Sequence, residues 1–179
     1  MQGFSADTAC AAVSFLWAGV GAIFDVRTRR IPNWLTGSGI LVGLVLHLVI
    51  GGWRSLGAAA LGGLIAGTIF LVFYLGGGMG GGDVKLMVAV CCLAGLSGVA
   101  SILLGTALIG GVLAIVLALL HHRLKETLAN LGRLIVYHST SGLRPHPDLN
   151  LSNPRTLRLP YGLAIAAGAG SSLCSVLLR

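Results

Sequence analysis

The chain is predicted to be an all-α membrane protein, with six transmembrane helices and an amphipathic helix in the loop before the last of them. Three observations predict this. Of its 179 residues 55% are hydrophobic and only 9% charged, and the mean hydropathy is +0.92, a balance foreign to ordinary soluble domains. Apolar runs long enough to cross a bilayer recur along the chain, separated by short polar or glycine-rich breaks. The 28 glycines suit helices that approach one another closely in lipid. One integral membrane domain, residues 1–179, accounts for the whole length.

The first seven residues are short and polar, without the basic start of a cleaved signal peptide. Residues 8–24 form the first expected span, which ends at Asp25 and a basic run of Arg27, Arg29 and Arg30. Pro32 breaks any continuing helix, Asn33 is placed to cap the next one, and Trp34 suits the membrane interface. Residues 35–50 and 56–75 form a hairpin of two spans around Gly51-Gly52-Trp53-Arg54. The glycine stretch Gly76-Gly77-Gly78-Met79-Gly80-Gly81-Gly82 follows and delivers Asp83 to the start of a fourth span, residues 84–98. A break near Ser97-Gly98 leads to the fifth span, 102–120, and residues 162–178 form the sixth. In the intervening loop, 121–160, Leu124, Leu128, Leu131, Leu134 and Ile135 recur at helical spacing, predicting a helix that lies on the membrane surface.

The charges orient this arrangement. Ten basic residues (Arg27, Arg29, Arg30, Lys85, Arg123, Lys125, Arg133, Arg144, Arg155, Arg158) fall on one side of the expected membrane, and Arg54 and Arg179 on the other. By the positive-inside rule the ten are cytoplasmic and the N-terminus is outside. The net charge of +7 therefore reads as orientation and contact with anionic lipid. No basic patch interleaved with aromatics speaks for nucleic acid. Cys10, Cys91, Cys92 and Cys174 lie in apolar runs without a CxxC, so they read as small core residues and not as disulfides or zinc ligands. His47 stands alone in the second span as a packed or cavity residue. His121, His122, His138 and His146 have no metal-ligand spacing and read as solvent- or headgroup-facing; no metal and no cofactor is expected.

Five acids remain: Asp7, Asp25, Asp83, Glu126 and Asp148. Asp25 ends the first span on the cytoplasmic side. The hairpin of the second and third spans returns the chain to that side, where Asp83 starts the fourth. Topology alone thus sets Asp25 and Asp83 at one depth. Ionisable groups at a membrane edge are costly and point to function. Two carboxylates in one site tend to share a single proton, which suits one to take a proton from water while the other gives one to a carbonyl oxygen. The alternative is structural: Asp25 pairs with Arg29 four residues on, and Asp83 complements a helix N-terminus. The spacing leaves both open.

The motifs add a resemblance. Asp25-x3-Arg29-Arg30-Ile31-Pro32-Asn33 and Gly80-Gly81-Gly82-Asp83-Val84-Lys85-Leu86 resemble the type IV prepilin peptidases and archaeal preflagellin peptidases, intramembrane aspartic proteases of the GxGD class. Leu159-Pro160-Tyr161-Gly162 is similar to that family's late proline–aromatic motif. The order and spacing match over essentially the whole chain. The resemblance implies that Asp25 and Asp83 are the catalytic pair. It further implies an enzyme of the bacterial inner membrane that cleaves prepilin or pseudopilin leaders at the cytoplasmic face, after a glycine. Gly80, Gly81, Gly82, Lys85, Pro160 and Tyr161 would bind substrate or shape the site, with Lys85 more structural than chemical. The longer members carry a CxxC-bearing insertion linked to N-methylation. This chain has none, so methyltransferase activity is not expected, and it looks most like the short tight-adherence (Flp-type) form. A proton-coupled transporter using the Asp pair and a protease of signal-peptide-peptidase type are the alternatives.

Overall fold

The computed structural model describes residues 6–142, 144, 147, 149 and 159–178. His146, Asp148, Arg155 and Arg158, to which the sequence assigns loop positions, and the C-terminal Arg179 lie outside the described residues. Six helices and no strand are present among the described residues: α1 (Ala6–Thr28), α2 (Asn33–Leu75), α3 (Gly81–Ala94), α4 (Leu96–Leu120), α5 (Leu124–Ser141) and α6 (Tyr161–Leu177). Three of them, α1, α2 and α4, are long and apolar enough to cross a membrane.

At 43 residues, α2 would measure roughly 65 Å if straight, twice a bilayer's hydrocarbon core. It is not straight. Gly51 and Gly52 leave helical geometry (Gly52 at φ +64°), and only a residue without Cβ enters that region freely. The chain folds back there. Gly43 in the first half and Gly63 in the second both lie against Cys92 of α3, as a rod could not. The two halves of α2 are therefore the two expected segments of the hairpin.

Helix α3 is the axis of the bundle. Its Leu86, Met87, Ala89, Val90, Cys91 and Leu93 are fully buried. The first half of α2 runs parallel to it (Gly39 against Ala89, Gly43 against Cys92), and the second half runs antiparallel (Gly62 against Leu96, Gly67 against Val88, Tyr74 against Gly81). Helix α1 is antiparallel to α3, with Gly21 on Leu86 and the Ser14 hydroxyl donating to Val90 O at 2.9 Å. Helix α6 wedges between α1 and α4: Gly162 meets Ala22 and Gly170 meets Phe15 on one flank, while Gly168 meets Ile102 and Thr106 on the other. Within the bundle, contacts at such small residues let backbones approach closely.

Three local expectations are corrected. Between α3 and α4 the break is at Gly95, not Ser97-Gly98, because Gly95 holds φ +74°, a conformation that side chains resist. Asn33 does not cap α2. Pro32 takes that place with extended backbone (ψ 138°), and its carbonyl accepts from Leu35 N and Thr36 N. Asn33 is the first helical residue, its amide free for another use. Of the cysteines, Cys10, Cys91 and Cys92 are buried but Cys174 is exposed: it sits near the end of α6, on the outside of the bundle.

This topology gathers one set of ends. The C-termini of α1, α2 and α4 and the N-termini of α2, α3 and α6 share one end of the bundle. The N-terminus of α1, the Gly51–Gly52 bend and Gly95 share the other.

Candidate active site

Asp25 and Asp83 both lie at the first of these ends. Asp25 comes from the last turns of α1 and is half-buried. The helix closes just beyond it, where Arg29 turns left-handed (φ +52°) with its N–H on Asp25 O at 2.9 Å. Asp83 occupies the first turn of α3, also half-buried. Asp25 stands near enough to Asp83 for its charge to act there.

Each carboxyl is held by backbone. Asp83 Oδ2 accepts the Gly80 N–H at 3.1 Å, a reach back to the helix cap that satisfies an otherwise unpaired donor. Asp25 Oδ2 accepts the Gly162 N–H at 2.8 Å. Asp25 forms no ion pair with Arg29, which is exposed at the helix end. The local structural alternative for Asp25 is thus replaced by a contact across 137 positions of sequence. For Asp83 the capping role is present, and it leaves the second carboxyl oxygen available.

Three motif segments converge here. Ile31, Val84 and Tyr161 all pack on the main hydrophobic core. Gly82 lies against Ile31 so closely that a Cβ there would stand 3.3 Å from Ile31 Cβ. Tyr161 is close enough to Asp83 to interact with its charge. Lys85 is exposed and its ammonium donates to Asn33 Oδ1 at 2.9 Å. The lysine therefore ties the start of α3 to the start of α2, the structural role its position two residues from Asp83 suggests. Gly80 supplies the N–H for Asp83, Gly81 faces the Tyr74 ring, and Pro160 precedes α6 with its carbonyl accepting from Leu163 N at 3.1 Å. Gly77 and Gly78 precede these in the glycine stretch, with Gly77 at φ +77°, and Met79 is buried.

Other candidates lie elsewhere. His47 bridges the α2 bend and the α3–α4 junction, with Nδ1 at 2.9 Å from Ser55 Oγ and Nε2 at 3.2 Å from Leu93 O. It lines a cavity of about 440 Å³ shared with Asp7, Cys10 and Ser97, at the end of the bundle away from the Asp pair. Half-buried, His138 is not free in solvent; its ring lies against Gly76 at the start of the glycine stretch. Glu126 forms an exposed ion pair with Arg123 at 2.7 Å. Among the described residues no three His, Cys, Asp or Glu side chains are grouped to hold a metal ion.

The Gly162 N–H is the contact that sequence reasoning missed as part of the site. Its only signal was position: a glycine directly after Pro160 and Tyr161, at the mouth of a helix.

Comparison with protein-family models gives a match to the type IV leader peptidase family over residues 12–115. The match spans more than half of the chain and includes both aspartates. Comparison with the curated proteins and with the solved structures gives no match.

Proposed function

The chain belongs to the type IV leader peptidase family, and from that premise we propose that it is an aspartic endopeptidase using Asp25 and Asp83 as its catalytic pair. Its substrates are prepilins or pseudopilins, cut at the cytoplasmic face of a bacterial inner membrane. The observation that carries this is the convergence of two carboxyls, from the end of α1 and the start of α3, at one end of the bundle, each held by a backbone N–H.

The chemistry follows from one shared proton. The ionised carboxylate removes a proton from a water molecule as its oxygen attacks the scissile carbonyl carbon. The protonated partner gives its proton to the carbonyl oxygen, producing a neutral tetrahedral diol. Collapse re-forms the carbonyl, breaks the C–N bond and passes a proton to the leaving amine, returning the pair to its starting state. Gly80, Gly81 and Gly82 put no side chains of their own beside Asp83, which suits the approach of an extended peptide backbone.

In the membrane the proposal is six crossings: α1, the two halves of α2, α3, α4 and α6. The basic ends then face the cytoplasm. Helix α5 leaves Leu128, Leu131 and Ile135 exposed along one face, which suits it to lie in the headgroup layer with Lys125 and Arg133 toward anionic lipid. The proposal is limited to proteolysis, since α2 occupies all of Asn33–Leu75, where the longer bifunctional peptidases carry their CxxC insertion.

The test is processing of a co-expressed prepilin, read by gel shift and by the mass of the new N-terminus. Wild type and Glu126→Gln should cleave after a glycine, and Asp25→Asn and Asp83→Asn should not. Cleavage surviving in either Asp variant would remove the dyad.

A further inference from the structure

We propose that Gly162 is a positioning residue for catalysis, its backbone N–H holding the Asp25 carboxylate in its working orientation at the mouth of α6. The inference deepens the proposed function and rests on Asp25 being one of the catalytic pair.

Gly162 is the second residue of α6. The first four N–H groups of a helix have no acceptor within it and must find one outside. Here Leu163 N is satisfied by Pro160 O, whereas Gly162 N points out of the helix to Asp25 Oδ2 at 2.8 Å. A carboxylate at this place also meets the positive end of the helix dipole. A charge-assisted bond of this kind is among the stronger protein hydrogen bonds, and it removes the freedom of Asp25 to rotate away from Asp83.

Glycine is needed for the approach itself. A Cβ on residue 162 would stand 2.9 Å from Asp25 Cβ and 3.0 Å from Ala22 Cα. The second of these is backbone and cannot turn aside, so α6 would have to withdraw from α1, lengthening the Gly162–Asp25 bond. Gly168, two turns further along α6, is just as crowded, with Ile102 O 2.5 Å and Thr106 N 2.8 Å from a Cβ built there. That crowding is against α4 and away from the Asp pair. Gly168 is therefore the internal control for packing without catalytic positioning.

Two measurements test this. In the first, amide hydrogen exchange of the folded wild-type protein is compared with Asp25→Ala in detergent micelles. The Gly162 amide should be protected in wild type and exchange at least about tenfold faster in the variant, while the amides after Leu163 stay unchanged. Equal exchange at Gly162 in the two proteins would overturn the proposal, and this readout does not depend on any glycine variant folding. In the second, steady-state cleavage is compared for Gly162→Ala, Gly168→Ala and Asp25→Asn. Gly162→Ala should lose about tenfold or more in kcat with KM within about threefold of wild type. Gly168→Ala should lower the unfolding temperature and leave kcat near wild type where it is folded. A Gly162→Ala enzyme with wild-type kcat would contradict the role. Failure of the underlying dyad is separately visible: Asp25→Asn would then keep its activity, whereas if only the positioning idea fails, Asp25→Asn is inactive and Gly162→Ala is not.

Discussion

Among the described residues, Asp25 and Asp83 each have one hydrogen-bond donor, and both donors are backbone. Replacing either with Asn preserves shape but removes the ability to hold a transferable proton. On the proposed mechanism each substitution should lower the cleavage rate by about 100-fold or more, the usual contribution of a general acid or base. Lys85 gives a contrasting expectation. Its bond to Asn33 is exposed, and exposed polar links are worth on the order of 1 kcal/mol or less. Lys85→Ala and Asn33→Ala should therefore each reduce activity less than about tenfold, with no further loss in the double variant, as measured by initial rates on a prepilin peptide. An Asp-sized loss in Lys85→Ala would move the lysine into the chemistry. At this scale the sequence singles out Asp25 and Asp83, because five acids in a hydrophobic chain can be weighed one by one. It does not show what holds them: the Gly162 contact spans 137 positions, and no local pattern encodes a backbone donor that distant.

At the scale of elements, the placement of glycines separates contact from free surface. Gly43 in the first half of α2 packs on α3, where a Cβ would stand 2.8 Å from the Cys92 carbonyl carbon and from Leu93 N. Gly43→Ala should destabilise by about 1–3 kcal/mol through overpacking against backbone that cannot move aside. Gly37, on the same half-helix, has nothing within 4 Å of its Cβ position. Gly37→Ala should be neutral or stabilising by up to about 1 kcal/mol, the propensity difference alone. Thermal unfolding in detergent checks both; equal effects would mean that α2 and α3 are not packed as described. The helical segments themselves were legible as apolar runs, and the fold-back of α2 was legible at Gly51-Gly52. The α3–α4 break was not. Ser97-Gly98 and Gly95 are equivalent in composition, and only the positive φ and the His47 ring beside Gly95 decide between them. Asn33 failed as a cap for a related reason: Pro32 already fixes the entry to α2, and Lys85 claims the Asn33 amide.

For the whole molecule, the alternating directions of α1, the two halves of α2, α3, α4 and α6 bring residues 25, 83 and 162 to one end. The ten-to-two split of basic residues then assigns that end to the cytoplasm on the proposed topology. An impermeant maleimide tests it in a Cys174→Ser background, where Cys10, Cys91 and Cys92 are buried. Arg54→Cys should label in intact cells, and Asn130→Cys only after permeabilisation; the reverse pattern would invert the protein. For Asp25 and Asp83 that convergence was readable in advance from the hairpin between them, since an even number of expected crossings returns the chain to its starting side. Catalysis by the two carboxyls as one unit is tested most directly by single-turnover cleavage in proteoliposomes for Asp25→Asn, Asp83→Asn and the double variant. If one proton is shared, either single variant should be as slow as the double, because groups that act together do not contribute additively. Losses that multiply in the double variant, or a single variant that retains wild-type rate, would contradict a shared catalytic pair.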